Sequence, residues 1–494
     1  MSDIRTEHSF EQLDVLFLSP PLSNWQHKQQ SQNAFRIENF VSNQESPNIG
    51  MGYLLAIAKR MGIRAKYIDM PADGYSPEDI QAYVVQHKPT LVGFMAYTPQ
   101  IKKAAKIAEM IKNVRPATYI TCGGPHAKAM PVETLQEYDA FDFIVVGEGE
   151  DIFPLLFEAL GNEVALAKIK GVVTRGKTDL SFNQLKDLDR LPFPAWEEFD
   201  LTKYLGMYPH RTSRELPMLT MRGCPFECTF CCNALGRTLR RRSLDNIMAE
   251  IERNIEVFGV ESIAFLDETF YLRKDWMLDF CNELIRRGFH KKITWSCSTR
   301  VSGTDPELFQ MMARAGCYYI FFGLESASDQ TLKRIKKGTT VQQQKNSVLW
   351  AKQAGIIPVG AFIIGLEGTT AQETLDAIEL GKELDLYSIT FPLATPFPGS
   401  PLRDIALQEP KYGLKILTND WDLYEKQDCG AMETEAFPLH VRKELQDLAY
   451  ASHPKKRMDD YMKTLAKYRV SWPNEGVERE VIFSSSLGVA MENA

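Results

Sequence analysis

Short apolar runs alternate with amphipathic stretches through the first 160 residues of the chain. Residues 14–19 (DVLFLS), 65–70 (AKYIDM), 90–97 (TLVGFMAY), 118–122 (TYITC) and 141–146 (FDFIVV) have the near-continuous apolar character of strands buried on both faces. Between them, near 51–61, 77–86, 100–113 and 132–137, apolar residues return every three or four positions, the spacing of a helix with one buried stripe. Strands alternating with helices predict a parallel sheet, because each crossover helix covers one sheet face. Ligands of such sheets bind at the carboxyl ends of the strands. The turns there offer Ser19, then Tyr97 and Thr98, then Gly123, Gly124, Pro125 and His126, and last Gly147, Glu148, Gly149 and Glu150 as candidate contacts. None of these turns has the spacing of a dinucleotide or phosphate-loop fingerprint. The residues alone imply a nucleotide-sized ligand or none.

The same alternation resumes after a break. Residues 161–191 read as a connector with a hairpin around Arg175–Lys177, and the proline-rich 191–195 as an extended linker. A strand at 217–221 then leads into a cysteine-rich loop. Ser243 is a candidate N-cap for a helix with Ile247, Ile251 and Ile255 on one face. Strands follow at 262–266, 293–299, 318–324, 358–366 and 387–394, each separated by helical sequence. Six strand–helix repeats predict a partial (β/α)6, TIM-like barrel, in which chemistry sits at the carboxyl ends of the strands. Those ends carry Asp267 and Glu268, Arg300, Glu325 and Gly365, followed by the Thr395–Pro401 loop. Beyond 404 the pattern is irregular, then helical over 441–464. The expected α/β organisation is a Rossmann-like unit over 1–165, a connector over 166–205, the partial barrel over 206–403 and a small, mostly helical domain over 404–494.

Composition narrows the class of partner. A hydrophobic content of 44% and a charged content of 24% over 494 residues are ordinary for a globular chain of about three domains. The net charge of −7 argues against nucleic acid, so the basic runs at 240–242 and 455–457 read as solvated faces or small-anion contacts. No signal-peptide core and no membrane span are expected, and nine cysteines without an even framework fit a reducing cytoplasm.

The chemistry is concentrated in Arg222-Gly-Cys-Pro-Phe-Glu-Cys-Thr-Phe-Cys231. Cys224, Cys228 and Cys231, spaced C-x3-C-x2-C, suit three corners of a [4Fe-4S] cluster. With three protein ligands, one iron stays open to a small molecule. Zinc sites usually take two ligand pairs, and no second pair stands at that distance. Cys232 reads as a buried thiol packed like a small hydrophobe. Cys281 and Cys317 read as core thiols and Cys297 lies inside a strand. Cys429 reads as structural, with hydrogen or proton donation as its other role.

This loop, with aromatic Phe230 before the third cysteine, resembles the signature of the radical S-adenosylmethionine (SAM) superfamily. The Pro47–Tyr53 segment, the Gly123–His126 turn with Pro131 and Glu133 behind it, Val146–Glu150 and Leu191–Trp196 resemble the cobalamin-binding domain that precedes the barrel in one subfamily. The resemblance implies three cofactors: a [4Fe-4S] cluster, SAM and cobalamin. It places Asp267 and Glu268 at the SAM amino group, Arg300 at its carboxylate, Glu325 at the ribose or amino group, and Gly365 beside the adenine. The D-x-H-x-x-G motif is absent, so a base-off cobalamin without a protein histidine ligand is expected. Tyr97 or Thr98 is then expected near the lower corrin face, and His126 as a loop residue near a corrin amide.

The activity implied is C-methylation of an unactivated carbon in a small molecule. One SAM supplies the methyl carried on cobalt and another supplies the adenosyl radical, with a flavodoxin or ferredoxin as electron donor. Two other readings stand: cyclisation, ring contraction or oxidation by the same cofactors, and a non-catalytic cobalamin or redox sensor. Methylthiotransfer is set aside, because residues 1–160 hold only Cys122 where that family has a second three-cysteine site.

Overall fold

The computed structural model describes residues 12–22, 46–176, 180–204, 206, 214–270, 273–408, 410–425, 429–454 and 456–468. The N-terminal sheet contains β1 (Val15–Ser19), β2 (Ala65–Asp69), β3 (Leu91–Met95), β4 (Tyr119–Gly123), β5 (Phe143–Val145) and β6 (Val172–Thr174), in the order β2-β1-β3-β4-β5-β6. The first five run parallel, as the alternating pattern predicts, and β6 is antiparallel to β5. The sixth strand comes from the segment read as a connector. Of the hairpin expected there, Lys177 lies outside the described residues.

The crossover helices begin where local capping chemistry allows. Asn48 accepts from the Met51 amide to start α1 (Ile49–Arg60), and Ser76 and Asp79 form a capping box on α2 (Pro77–His87). Helix α3 (Ile101–Val114) buries Ile101, Ala104, Ala105, Ile107, Ala108 and Ile111 on one stripe. The proline-rich stretch is extended, yet it is no loose linker. Ala195 donates to the Gly52 carbonyl at 3.0 Å, and Trp196 is fully buried against α1.

The second sheet is β7 (Glu215–Met218), β8 (Ser262–Phe265), β9 (Thr294–Thr299), β10 (Cys317–Glu325), β11 (Ile357–Phe362) and β12 (Ser388–Thr390). These six strands are neighbours in sequence order and all parallel, the partial barrel expected. Ser243 caps the helix Leu244–Phe258 by accepting from the Asn246 amide, which leaves Ile247 and Ile251 in the core. Cys281, Cys297 and Cys317 are buried in that core. Cys232 is only half-buried, unlike the packed thiol expected.

Past the sixth strand come the helix Pro401–Gln408, a two-residue ribbon (Lys415–Ile416 with Met432–Glu433) and the helices Leu439–Ser452 and Met458–Tyr468. The helix Leu439–Ser452 packs along Ala371–Leu384, and its Gln446 donates to the Phe391 carbonyl at 2.7 Å. The single turn Trp421–Leu423 reaches the N-terminal unit: Trp421 meets the His126 ring edge-on at 5.3 Å, and Asp420 pairs with Lys102 at 2.9 Å. Among the described residues no helix is long and apolar enough to cross a membrane.

Candidate active site

The cysteine loop leaves the carboxyl end of β7 and is closed at its base by a ribbon in which Met221–Arg222 pairs antiparallel with Arg240–Arg241. Gly223 sits at φ +89, where a side chain would collide with the Thr238 carbonyl, so the step from ribbon to first cysteine requires glycine. The Cys224 amide donates to Gly236 at 3.0 Å, and Asn233 Nδ2 donates to the Cys224 carbonyl at 2.8 Å. Thr229 is tied to three different elements. Its amide donates to Ile335, its carbonyl accepts from Leu402, and its hydroxyl donates to Glu367 Oε1 at 2.5 Å.

The three thiols are close enough to affect one another electrostatically. Burial first, and then the nearby Glu268, Cys231 and Cys228, push the Cys224 thiol pKa up. Arg300 Nη1 lies 3.5 Å from Cys228 Sγ, and the Asn233 amide donates to Cys231 Sγ at 3.4 Å. Among the described residues no three His, Cys, Asp or Glu side chains converge on one metal ion. A cubane takes one thiolate per iron, so thiols spaced around a loop with N–H donors beside two of the sulfurs fit it.

Arg300, at the end of β9, is 6% exposed and stacks on Phe226 at 3.7 Å. Its Nε and Nη2 are buried with no hydrogen-bond partner among the described residues. A buried guanidinium with open donors beside the cluster loop fits the carboxylate of SAM. Glu268 stands in a recess: solvent reaches it, but the surrounding protein raises its carboxyl pKa, and it accepts from the Leu235 amide at 3.1 Å. Asp267 turns elsewhere. It is 3% exposed, and its Oδ1 accepts from the Thr220 amide and hydroxyl and the Met221 amide at 2.5–3.1 Å. The acidic pair expected at one SAM group therefore divides, with Asp267 holding the strand end and Glu268 left open. Burial pushes Asp267 up to about 7.

Two further residues expected at SAM have protein partners. Glu325, at φ +68, pairs with Lys337 at 2.7 Å. Gly365 is packed by Arg442, whose Nη1 donates to the Gly365 carbonyl at 3.2 Å, so the glycine makes room for the C-terminal helix. Both nonetheless line one small recess at the ends of β10 and β11. Phe230 is half-buried against an apolar cluster that includes Leu332, Ile335 and Leu366. Cys429 is buried, which raises its thiol pKa, with Thr395 as hydrogen-bond partner.

On the facing unit, Ser19 Oγ accepts from Tyr67 at 2.8 Å and is buried. Tyr97 is 52% exposed at the end of β3, yet the surrounding protein raises its hydroxyl pKa, which places it in a recess. Thr98 and His126 are buried together, Oγ1 to Nδ1 at 3.3 Å. Burial, reinforced by Arg403, brings His126 down to about 4, so it is neutral near pH 7. A side chain at Gly123 would meet nothing closer than 3.8 Å, which leaves its backbone approachable. Gly124 opens the short Pro125–Ala129 helix. Gly147, at φ +112, lies against the Asn183 backbone and Gly149 beside Leu54. The carboxylates of Glu148 and Glu150 are taken up by Arg240 and Arg222. Arg240 and Arg242 are therefore buried in ion pairs rather than solvated. Sequence reasoning also passed over Phe226, Thr229, Glu367, Lys337 and Lys128; the only signal for Glu367 was its place two residues after Gly365.

Residues 218–381 match the radical SAM superfamily and residues 38–157 the B12 binding domain. An uncharacterised methyltransferase of Pyrococcus horikoshii is 30% identical over 82% of this chain and 87% of its own length. An anaerobic magnesium-protoporphyrin IX monomethyl ester cyclase of Rubrivivax gelatinosus is 28% identical over 72% of this chain and 65% of its own. Among solved structures, the radical SAM methyltransferase TsrM of Kitasatospora setae, with cobalamin and a [4Fe-4S] cluster bound, superposes with a TM-score of 0.69 at 18% identity, covering 92% of this chain and 95% of that one.

Proposed function

The chain belongs to the radical SAM superfamily, in the group that carries a B12-binding domain, and on that premise we propose that it is a cobalamin-dependent C-methyltransferase acting on a small molecule. The observation that carries this reading is the meeting of the glycine turns of the first sheet with the cysteine loop of the second across buried ion pairs. Two cofactor sites joined in this way suit a reaction that needs both cofactors at one substrate carbon. When bound, the cluster with SAM supplies the hydrogen-abstracting radical, and cobalamin supplies the methyl.

The chain's own residues hold and orient. Cys224, Cys228 and Cys231 are the thiolate ligands. Arg300, levelled on Phe226, takes the SAM carboxylate through its open Nε and Nη2, and Glu268 faces the ammonium. Asp267 fixes the end of β7 from which the loop departs. Tyr97, exposed at the end of β3, and the open backbone of Gly123 would contact a bound corrin, whereas Gly147 is packed on Asn183. His126 packs between Thr98 and Trp421, and in that position it would serve as a loop residue beside a corrin amide rather than as a ligand. On this reading residues 1–165 are the corrin-binding unit, 206–403 the cluster and SAM unit, and 404–494 the unit that would select the substrate. The enzyme works in the cytoplasm and draws its electron from a flavodoxin or ferredoxin.

Anaerobic incubation of the reconstituted enzyme with candidate substrates and reductant tests the proposal. Methyl transfer gives a product heavier by one methylene together with S-adenosylhomocysteine and 5′-deoxyadenosine. Turnover that yields 5′-deoxyadenosine without S-adenosylhomocysteine overturns it. That outcome favours the second reading, radical cyclisation or oxidation, which the similarity to the cyclase supports. A sensor has no use for an open buried guanidinium beside the cluster, and failure to cleave SAM under strong reductant would be its mark.

A further inference from the structure

Both glycine turns of the first sheet reach the cysteine loop through charged side chains. After β5, Glu150 Oε1 accepts from Arg222 Nη2 at 2.6 Å, and Glu148 pairs with Arg240 at 2.6 Å while lying 3.5 Å from Arg222 Nη1. The four side chains are 2–7% exposed. After β4, Lys128 leaves the Pro125–Ala129 helix and donates to the carbonyls of Asn233 and Ala234, at 2.8 Å each. Arg222 and Arg240 pair across the ribbon that forms the base of the loop, and Asn233–Ala234 form its shoulder. The two turns thus grip the loop at two separate points.

Holding domains together does not require this chemistry. A buried ion pair recovers little more than its desolvation cost, and apolar side chains of similar volume often stabilise as well or better. What a guanidinium–carboxylate contact adds is direction, since a planar donor fork fixes both distance and angle.

We propose that Glu148, Glu150 and Lys128 are positioning residues: through Arg222, Arg240 and the Asn233–Ala234 carbonyls they set the separation and tilt of the corrin-side turns relative to the cluster loop. This rests on the methyltransferase reading for its consequence, which is the number of 5′-deoxyadenosines formed per methyl delivered. Misplacement of reacting groups by about 1 Å can cost on the order of 100-fold in rate, so a loosened grip raises that ratio.

The test uses reconstituted holoenzyme carrying Glu150→Gln, Lys128→Met, or the charge-free pair Glu150→Leu/Arg222→Met. Iron and corrinoid content, the unfolding midpoint, the spin–spin splitting between Co(II) and the reduced cluster, and the deoxyadenosine-to-product ratio are measured on each. Glu150→Gln removes the closer of the two carboxylates on the buried Arg222, leaving it Glu148 at 3.5 Å, and lowers the midpoint. The charge-free pair restores the midpoint, yet its splitting stays altered and its ratio rises by on the order of tenfold. Lys128→Met leaves the midpoint near wild type and shifts the splitting in the same sense. A charge-free pair, or a Lys128→Met enzyme, with wild-type splitting and ratio shows that the contacts only pack the domains, and overturns the proposal. Where the Glu150 variants fail to fold, Lys128→Met decides alone. If the wild type delivers no methyl, the methyltransferase reading fails while the splitting still judges the positioning role.

Discussion

Replacing Thr229 by valine should loosen the cysteine loop without touching a single thiol. Thr229 lies between Cys228 and Cys231, buried, and its hydroxyl donates to Glu367 Oε1 at 2.5 Å. Glu367 is itself buried, and its Oε2 has no partner among the described residues. Valine keeps the volume and removes the donor, so the loss is electrostatic. A hydrogen bond to a charged group contributes about 1.5–3 kcal/mol, and stranding a buried charge costs about 3–5 kcal/mol. The backbone bonds of residue 229 to Ile335 and Leu402 remain, which places the expected cost at about 2–4 kcal/mol. Glu367→Gln keeps an acceptor for the hydroxyl and should cost only about 1 kcal/mol. Thr229→Val/Glu367→Leu removes both partners and should recover at least half of the loss. Anaerobic urea unfolding of the cluster-free protein, followed by two probes because a chain of this size need not unfold in two states, reads these differences. Iron retained after reconstitution should fall in parallel for Thr229→Val. A cost within about 0.5 kcal/mol, the range of an ordinary surface change, together with no coupling in the cycle, would refute the reasoning.

Arg300→Met should weaken SAM binding by roughly 10- to 100-fold, the loss of charge-assisted hydrogen bonds worth about 1.5–3 kcal/mol, while iron content stays near wild type; equilibrium binding to the reconstituted protein measures it. Cys228→Ala should abolish SAM cleavage and leave corrinoid binding largely intact, as the absorption spectrum of the corrinoid-loaded variant reports; loss of both would make the cluster a structural staple. Burial holds Asp267 at about 7 against an ordinary 3.8, so the folded chain keeps a proton that the unfolded chain releases. Its contribution to stability is therefore full below about pH 4, falls as pH rises to about 7, and is level above. Asp267→Asn can still accept from Thr220 and Met221 and carries no titrating proton, so it should flatten that slope in urea midpoints taken across the range; an unchanged slope would place the titration elsewhere.

The parallel strands and their helices were readable because their signals are local. An apolar run marks a doubly covered strand, and Asn48, Ser76 and Ser243 cap helices a few residues away. The thiol spacing was readable for the same reason, since three ligands on one loop need no distant partner. Where the reading differed from the structure, long-range partners decided. Asp267 and Glu268 are adjacent in sequence, yet the side chain of one turns into the β7 end and the other into the recess. Gly365 suggested an approach for a ligand, and a side chain from residue 442 fills that space. The basic run at 240–242 suggested solvent, and carboxylates from residues 148 and 250 bury two of its members.

By itself, then, the sequence determined two parallel α/β units, their order, and the loop on which a cluster is held. Periodicity, capping and ligand spacing act over a turn or two of chain. Only the tertiary structure decided which charged residues stay open to a ligand and which are spent on one another. Arg222 meets Glu150 across 72 residues and Arg240 meets Glu148 across 92, while two donors of Arg300 find no partner among the described residues. A buried charge takes whatever partner the fold brings within hydrogen-bond reach, and no local pattern encodes that choice.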